Sequence, residues 1–503
     1  MYQIIKKTVE NSDRIIFESP NRDPLSYNEF HKSLEQIKIE FFNLSIKPED
    51  TVAIVLPNGP DLGLLFIASS CFAISAPLNP NYSKNEFIFY LSDLNAKFLI
   101  VDPKLKTEAS KAATELGITI IYLSAEKKAG KFNLKNDVKS SNDTILKQNF
   151  MSNTSLLLHT SGTTSKPKLV QLTSDNLISS ALNIGKTLNL SEKDCCLNIM
   201  PLFHIHGLVA VLLTSILFNV KLVFTTGFNA LIFFKLLHQF KPTWYSGVPT
   251  MHQAILQRSK NNKKIIENSS LRFIRSSSAA MPKPVLLEME KIFNCPVIEA
   301  YGMTEASHQI ASNPLPPRVR KNGTVGLESG PLVEIMDNKG NILQKNKVGE
   351  IVIKGETVIN QYANNEKATL ASFENGWFKT GDLGLIDEDG YIKVTGRIKE
   401  IINKGGEKIS PKEIDDILQE MSEIEQVVCF PFSSDRYGEE IGCAVVLKES
   451  KNISEKDITE YASKHIAKFK IPSKFIFLDE IPKGPTGKLQ RIGLSKLLGL
   501  EIE

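Results

Sequence analysis

Two hydrophobic periods alternate along the chain. Phe30, Leu34, Ile37 and Phe41 recur every three or four residues, predicting a helix with one apolar face, and Ser26-Tyr27-Asn28-Glu29 ahead of them reads as a capping box. Residues 51–56 form a β-rich apolar run stopped by Pro57-Asn58-Gly59-Pro60. An apolar helix over 62–73 and a short strand over 98–101 follow. Such alternation predicts layered, parallel α/β structure. Residues 125–149 are polar, Lys-rich and without a period, which reads as a surface excursion. The alternation resumes over 177–240, where 208–220 reads as a buried helix leading to a strand, and 271–276 reads as a strand ending in a Ser/Ala-rich turn. No internal repeat is visible.

From Gly323 the pattern shortens to strands and turns. Residues 349–355 form one such run; 384–387 and 391–394 are joined across Asp389-Gly390, a hairpin signal. A small β-subdomain is expected at about 323–396. Ser410-Pro411-Lys412-Glu413 combines a capping box with proline at the first helical position, starting a helix to about 421. Strands over 427–431, 441–447 and 475–478 and a helix after Ser454 complete a compact unit. The expected fold is α/β: a large N-terminal domain (1–396) of layered α/β subdomains plus the β-subdomain, hinged to a small α+β C-terminal domain (397–503). At 503 residues the chain exceeds what one hydrophobic core holds.

Composition narrows the partners. A net charge of +4 over 60 basic and 56 acidic side chains gives no reason to expect nucleic acid. The longest apolar run already contains Thr214, Ser215 and Asn219 and falls short of the ~20 residues of a membrane span. The six cysteines lack CxxC spacing, so reduced thiols and no metal cluster are expected. No apolar leader follows Lys6 and Lys7 and no peroxisomal tripeptide ends the chain, so a cytoplasmic location is the expectation; monomer and homodimer both stay open.

The candidate chemistry starts at His159-Thr160-Ser161-Gly162-Thr163-Thr164-Ser165-Lys166-Pro167-Lys168, between apolar runs. Hydroxyls, a glycine that lets the backbone turn, and two lysines make a seat for a polyphosphate. A Walker A loop is excluded, because only one glycine is present and Pro167 follows the first lysine. A polar hairpin turn stays open as the alternative. Glu299-Ala300-Tyr301-Gly302-Met303-Thr304-Glu305 offers a flat ring for a purine, a hydroxyl for phosphate and a hard oxygen ligand for Mg²⁺. It also reads as a capped helix start. Thr380-Gly381-Asp382 can hold a ribose with its carboxylate or be an ordinary turn. Lys488, in Pro482-Lys483-Gly484-Pro485-Thr486-Gly487-Lys488, can stabilise developing negative charge or be a solvated loop lysine.

In this order, and along nearly the whole chain, these four stretches resemble the adenylate-forming superfamily of acyl-CoA synthetases, luciferases and adenylation domains. Ser165 and Leu169 depart from it, standing where many members have glycine. The resemblance implies ATP with Mg²⁺ and coenzyme A as acceptor, a carboxylate converted to acyl-AMP and then to a thioester. It implies ATP contacts at Thr160, Ser161, Gly162, Thr163, Thr164, Lys168, Glu299, Ala300, Tyr301, Gly302, Met303, Thr304, Asp382 and Arg397. It implies a metal ligand in Glu305, a catalytic lysine in Lys488, a hinge at Lys399 and a thiol-tunnel face at Lys404, Gly405 and Gly406. A luciferase-like oxygenase or a nucleotide-binding protein without turnover shares these motifs.

Pro201-Leu202-Phe203-His204-Ile205-His206-Gly207 resembles the family's acyl-pocket motif, in which His204 faces the acid and His206 is expected to be structural. Ser278 lies in the turn before the adenine strand, and His308, three residues after Glu305, is expected on the same helical turn. Convergence of His204, Ser278 and His308 would make a small polar pocket, and the closest resemblance is to oxalate–CoA ligases. The alternative acid is medium-chain or aromatic, with His308 in a loop.

Overall fold

In the computed structural model the described residues are 1–9, 12–136, 151, 153–160, 167–484 and 487–500. Two large sheets dominate. The seven-stranded sheet runs Phe132–Asn136, Thr119–Ala125, Phe98–Val101, Thr51–Val55, Ile74–Pro77, Thr154–His159, Leu169–Thr173. Its alternate residues face opposite ways: Val52 and Ile54 enter the main core, whereas Ala53 and Val55 enter a smaller cluster on the other face. A sheet buried on both faces explains why 51–56 reads as a continuous apolar run.

The nine-stranded sheet carries, in order, Leu327–Glu328, His308–Ser312, Val297–Met303, Phe273–Ser277, Trp244–Gly247, Cys195–Asn198, Lys221–Phe224, Ile15–Glu18 and Leu25–Ser26. Its central strands pair in parallel. Helix Pro60–Phe72, with proline in its first turn, is buried almost all round and lies in the main core. Gly63 makes that packing possible, since a Cβ there would stand 2.9 Å from the Phe224 ring.

A third, antiparallel sheet (Leu332–Met336, Gly349–Lys354, Trp377–Ile386, Phe373–Glu374, Ile392–Arg397) contains the hairpin expected across Asp389-Gly390. The chain leaves it through a 3₁₀ turn, Ile398–Glu400, and enters a fourth sheet built on the long hairpin Ile424–Ser434 and Gly438–Leu447. Val427 and Cys429 face one apolar cluster of this last unit; Val428 and Phe430 face another.

Three local readings change. Helix Pro411–Leu418 starts where expected, but Ser410 donates its hydroxyl to the Thr395 carbonyl at 2.7 Å instead of capping the helix. A tertiary acceptor out-competes the local one, and the helix ends three residues early. Within 208–220, the first part is a π-helix, His206–Leu213, continued by an α-turn, Thr214–Leu217. The Thr214 backbone N–H donates to the Val209 carbonyl five residues back, as the wider turn requires, and its hydroxyl donates to the same carbonyl. The excursion after 125 includes strand Phe132–Asn136, antiparallel to Thr119–Ala125; residues 137–150 lie outside the described residues. Among the described residues, no helix is long and apolar enough to cross a membrane.

Candidate active site

The parallel strands of the nine-stranded sheet all deliver their C-terminal ends to one side, where ligands bind in open α/β sheets. Cys195–Asn198 leads to His204 and His206, Trp244–Gly247 carries Ser246, Phe273–Ser277 carries Arg275 and leads to Ser278, and Val297–Met303 leads to Thr304, Glu305 and His308.

The nucleotide-motif residues form one connected group. Tyr301 donates its hydroxyl to Asp382 Oδ2 at 2.5 Å, and Arg397 Nε lies 2.8 Å from Asp382 Oδ1. Asp382 and Arg397 are cross-strand partners, so the expected Gly-Asp turn is a kink inside strand Trp377–Ile386, with Gly381 at φ +74°. Glu305 is buried and accepts a hydrogen bond from the Tyr362 hydroxyl at 2.9 Å. Burial raises the pKa of its carboxyl, and Tyr362, Lys168 and Arg397 oppose the rise. The Lys168 ammonium stands 4.2 Å over the Tyr362 ring, and burial lowers its pKa, as does the Lys399 charge. Thr160 N–H donates to the Lys168 carbonyl at 3.0 Å, closing the stem of the polar loop. Ser161, Gly162, Thr163 and Thr164 lie outside the described residues. Within strand Val297–Met303, Ala300 accepts from Ser277 Oγ at 2.9 Å and Met303 pairs with His308. Burial raises the Glu299 carboxyl to about 8 against the pull of Lys412. Thr304 accepts from the Ser307 N–H at 3.0 Å.

Lys488 reaches this group from the C-terminal unit. Gly484 N–H donates to the Lys488 carbonyl at 2.8 Å, and Thr250 Oγ1 donates to the Gly487 carbonyl at 2.8 Å, tying the loop to the large domain. Burial and the Arg397 charge push the ammonium down to about 8, with Asp382 and Glu305 acting the other way. The Lys488 charge also lowers the pKa of His204, His206 and His308.

His204, Ser278 and His308 do come together, but through a residue the sequence reading set aside. His206 is fully buried; its Nδ1 is 3.0 Å from Ser278 Oγ and its ring centroid 4.9 Å from that of His308. His206 backbone N–H donates to His204 Nδ1 at 3.2 Å. His308 is not on a helical turn with Glu305. The turn stops at Ala306, Ser307 adopts φ +53° and His308 φ +100°, and His308 opens the next strand. Gly302 permits this, because a Cβ there would lie 1.6 Å from the His308 carbonyl oxygen. The glycine thus accommodates protein backbone.

Arg275, 0% exposed, was missed altogether. Its guanidinium contacts His206 Nε2, Ser246 Oγ and Gln309 Oε1 at 3.4, 3.3 and 3.2 Å and forms no ion pair among the described residues. The signal was available: a charged residue inside a strand that otherwise reads as buried. By contrast, Lys404, Gly405 and Gly406 stay away from this cluster. Lys404 pairs with Glu440, and the two glycines, at φ +58° and +92°, form a hairpin turn held to Tyr437. Lys399 sits exposed in the turn between the third and fourth sheets.

The model of the AMP-binding enzyme family matches residues 6–363, and that of its C-terminal domain matches 413–488. The chain belongs to the AMP-binding enzyme family. Among its relatives, the oxalate–CoA ligase of Arabidopsis thaliana is 41% identical over 455 residues, covering 89% of this chain and 88% of that one. The oxalate–CoA ligase of Saccharomyces cerevisiae is 41% identical over 472 residues, covering 88% and 86%. The crystal structure of ATP-bound MatB from Rhodopseudomonas palustris superposes with a TM-score of 0.86 at 25% identity, covering 98% and 97%.

Two outcomes follow for this family member. In Gly302→Ala the new methyl meets backbone, which cannot swing aside. A cost of about 1–3 kcal/mol is expected, read as a thermal midpoint lowered by several degrees; an unchanged midpoint would contradict the packing described.

The second concerns acid. Burial holds His252 neutral, its pKa lowered to about 3, with His206 and His308 also well below the ordinary value. The unfolded chain binds these protons near pH 6.5, so their contribution to stability is complete above 6.5 and lost as pH falls toward 3. His252→Gln, beside Tyr245, should therefore reduce the loss of stability between pH 6.5 and 5 by about 1.4 kcal/mol per pH unit. Parallel wild-type and mutant denaturation curves across that range would contradict it.

Proposed function

We propose that this AMP-forming CoA ligase takes oxalate, or a comparably small dicarboxylate, as its acid. The observation that carries the reading is the meeting, around the buried His206, of half-buried His204 and Ser278 with buried His308, near the Lys488 charge. A fatty-acid pocket has no use for such a set of polar groups, whereas a buried second carboxylate needs partners or costs several kcal/mol. The oxalate–CoA ligases among the relatives support the same acid.

A carboxylate is a poor acyl donor because its leaving group would be oxide. Attack of its oxygen on the α-phosphorus of ATP expels pyrophosphate and makes AMP the leaving group; CoA thiol then displaces AMP. Lys488 is suited to stabilise the charge that develops in the first step. Asp382, with Arg397 and Tyr301, suits the ribose; Thr160, Thr304 and Lys168 suit the phosphates. Magnesium would enter with ATP, shielding the phosphate charge, and Glu305 is the carboxylate that would hold it. A hard carboxylate oxygen such as that of Glu305 suits Mg²⁺, which binds through one or two carboxylates together with substrate phosphates. Lys488 is near the nucleotide group while Lys404, Gly405 and Gly406 keep to their own sheet, so the second step calls for a swing of the C-terminal domain about Lys399. Those glycines would then line the path of the thiol.

Lys488→Ala should abolish adenylation yet spare CoA attack on supplied acyl-adenylate; equal loss of both half-reactions in a folded mutant would remove the alternation. His308→Ala should lower kcat/KM for oxalate about ten- to a hundredfold, because one hydrogen bond to a charge is worth ~1.5–3 kcal/mol. A monocarboxylate of similar length should lose far less. Equal losses for both acids, measured by pyrophosphate release, would rule out a distal-carboxylate site.

A further inference from the structure

The distal-carboxylate reading leaves one group unexplained, the buried guanidinium of Arg275. It makes only neutral contacts among the described residues, where its Nε has no partner. A permanent cation without a counter-ion is a costly thing to bury, so what it does to its neighbours is informative.

Those neighbours form a chain with a direction. Arginine can only donate. Its Nη1 donates to Ser246 Oγ at 3.3 Å, and Ser246 Oγ lies 2.6 Å from His206 Nε2. The same Nη1 faces His206 Nε2 at 3.4 Å. A proton on Nε2 would oppose the guanidinium N–H, so Nε2 is the acceptor, taking its hydrogen bond from Ser246. The neutral ring then carries its proton on Nδ1, which donates to Ser278 Oγ at 3.0 Å. Ser278 Oγ, accepting from Nδ1–H, cannot give its own proton to His206, which leaves that proton free for a ligand. Ser278 is held there at φ +73°, a strained conformation for a residue with a side chain. Separately, His204 Nδ1 accepts the His206 backbone N–H, so its proton sits on Nε2. Burial keeps all three histidines neutral, with the Lys488 charge adding to the effect.

We propose that Arg275 is a positioning and specificity-determining residue: acting through Ser246, it fixes His206 as the Nδ1–H tautomer and makes the Ser278 hydroxyl an obligate donor to the acid's distal carboxylate. The inference rests on the small-dicarboxylate reading. Every bond in the chain points the same way, from a cation toward the pocket, and aligned bonds of this kind reinforce one another. An acid lacking the second carboxylate gains little from it.

The test compares oxalate with oxamate, which replaces one carboxylate by a neutral amide. Arg275→Gln should raise KM for oxalate about ten- to a hundredfold and leave KM for ATP unchanged, with oxamate affected at most severalfold. Arg275→Lys should restore part of the loss. Arg275→Gln/Ser278→Ala should be little worse than the poorer single mutant, since both break one series. Nitrogen-15 spectra of histidine-labelled enzyme should show His206 protonated at Nδ1, and a shift toward the other tautomer in Arg275→Gln. Ser246→Ala, a smaller change on the same chain, carries every arm should Arg275→Gln fail to fold. Equal losses for oxalate and oxamate, additive single mutants, or an Nε2-protonated His206 in the wild type would overturn the relay while wild-type oxalate preference stands. A wild type with no preference for oxalate overturns the substrate reading instead, and the His206 spectrum still decides the tautomer.

Discussion

Arg275 occupies the strand Phe273–Ser277, fully covered, with no carboxylate beside it among the described residues. Burying a charge on those terms requires that every neighbour be an acceptor or a neutral dipole, and the surroundings obey. Ser246, Gln309 and His206 all present acceptor atoms. Gln309 is in turn held by the Ser329 carbonyl at 3.0 Å through its own amide. Burial keeps the three neighbouring histidines neutral, and the Lys488 charge acts in the same sense.

Backbone strain sets the pocket's shape. Ser278, Ser307 and His308 all have positive φ, and residues held there cost about 1–3 kcal/mol each. Elements fixed elsewhere in the core maintain them. The His308 carbonyl nests against Gly302; Ser307 Oγ donates to the Thr357 carbonyl, and Ser180 Oγ donates to the Ser307 carbonyl at 2.6 Å. On the other side the π-helix starting at His206 sets the register of His204 and His206, and Gly207 there packs so closely on Pro201 that a Cβ would fall 2.3 Å from its carbonyl oxygen. Strand ends, a wide helical turn and two glycines therefore bring together His204, His206, Ser278 and His308 from separate segments of the chain.

Much of this was legible in the sequence. The layered α/β pattern, the hairpin at Asp389-Gly390 and the helix starting at Pro411 follow from local periods and turn chemistry, which act within a few residues. So do His204, Ser278 and His308 as pocket candidates, since each borders a recognisable motif. His206 reads only as structural, because its bonds to Ser246 and Ser278 cross between strands; Arg275 shows in the sequence as a charge within a buried strand, but its partners there do not. His308 was placed on the wrong kind of turn, because the conformation depends on Gly302 in the neighbouring strand. Ser410 kept its helix and lost its cap for the same reason: a tertiary acceptor was nearer than the local one.

The nucleotide group and the acid cluster are joined by Lys488, delivered by a loop of the C-terminal unit whose footing is the Thr250–Gly487 bond. Substrate size is therefore tied to the arrangement that brings the lysine in, and the polar cluster beside it suits a two-carbon dianion better than a chain. The direct measurement is the rate of CoA-thioester formation by the wild-type enzyme across oxalate, longer dicarboxylates, benzoate and hexanoate at equal concentration. Oxalate is expected to give the highest kcat/KM, by at least a hundredfold over hexanoate. A higher kcat/KM for hexanoate or benzoate would contradict the account.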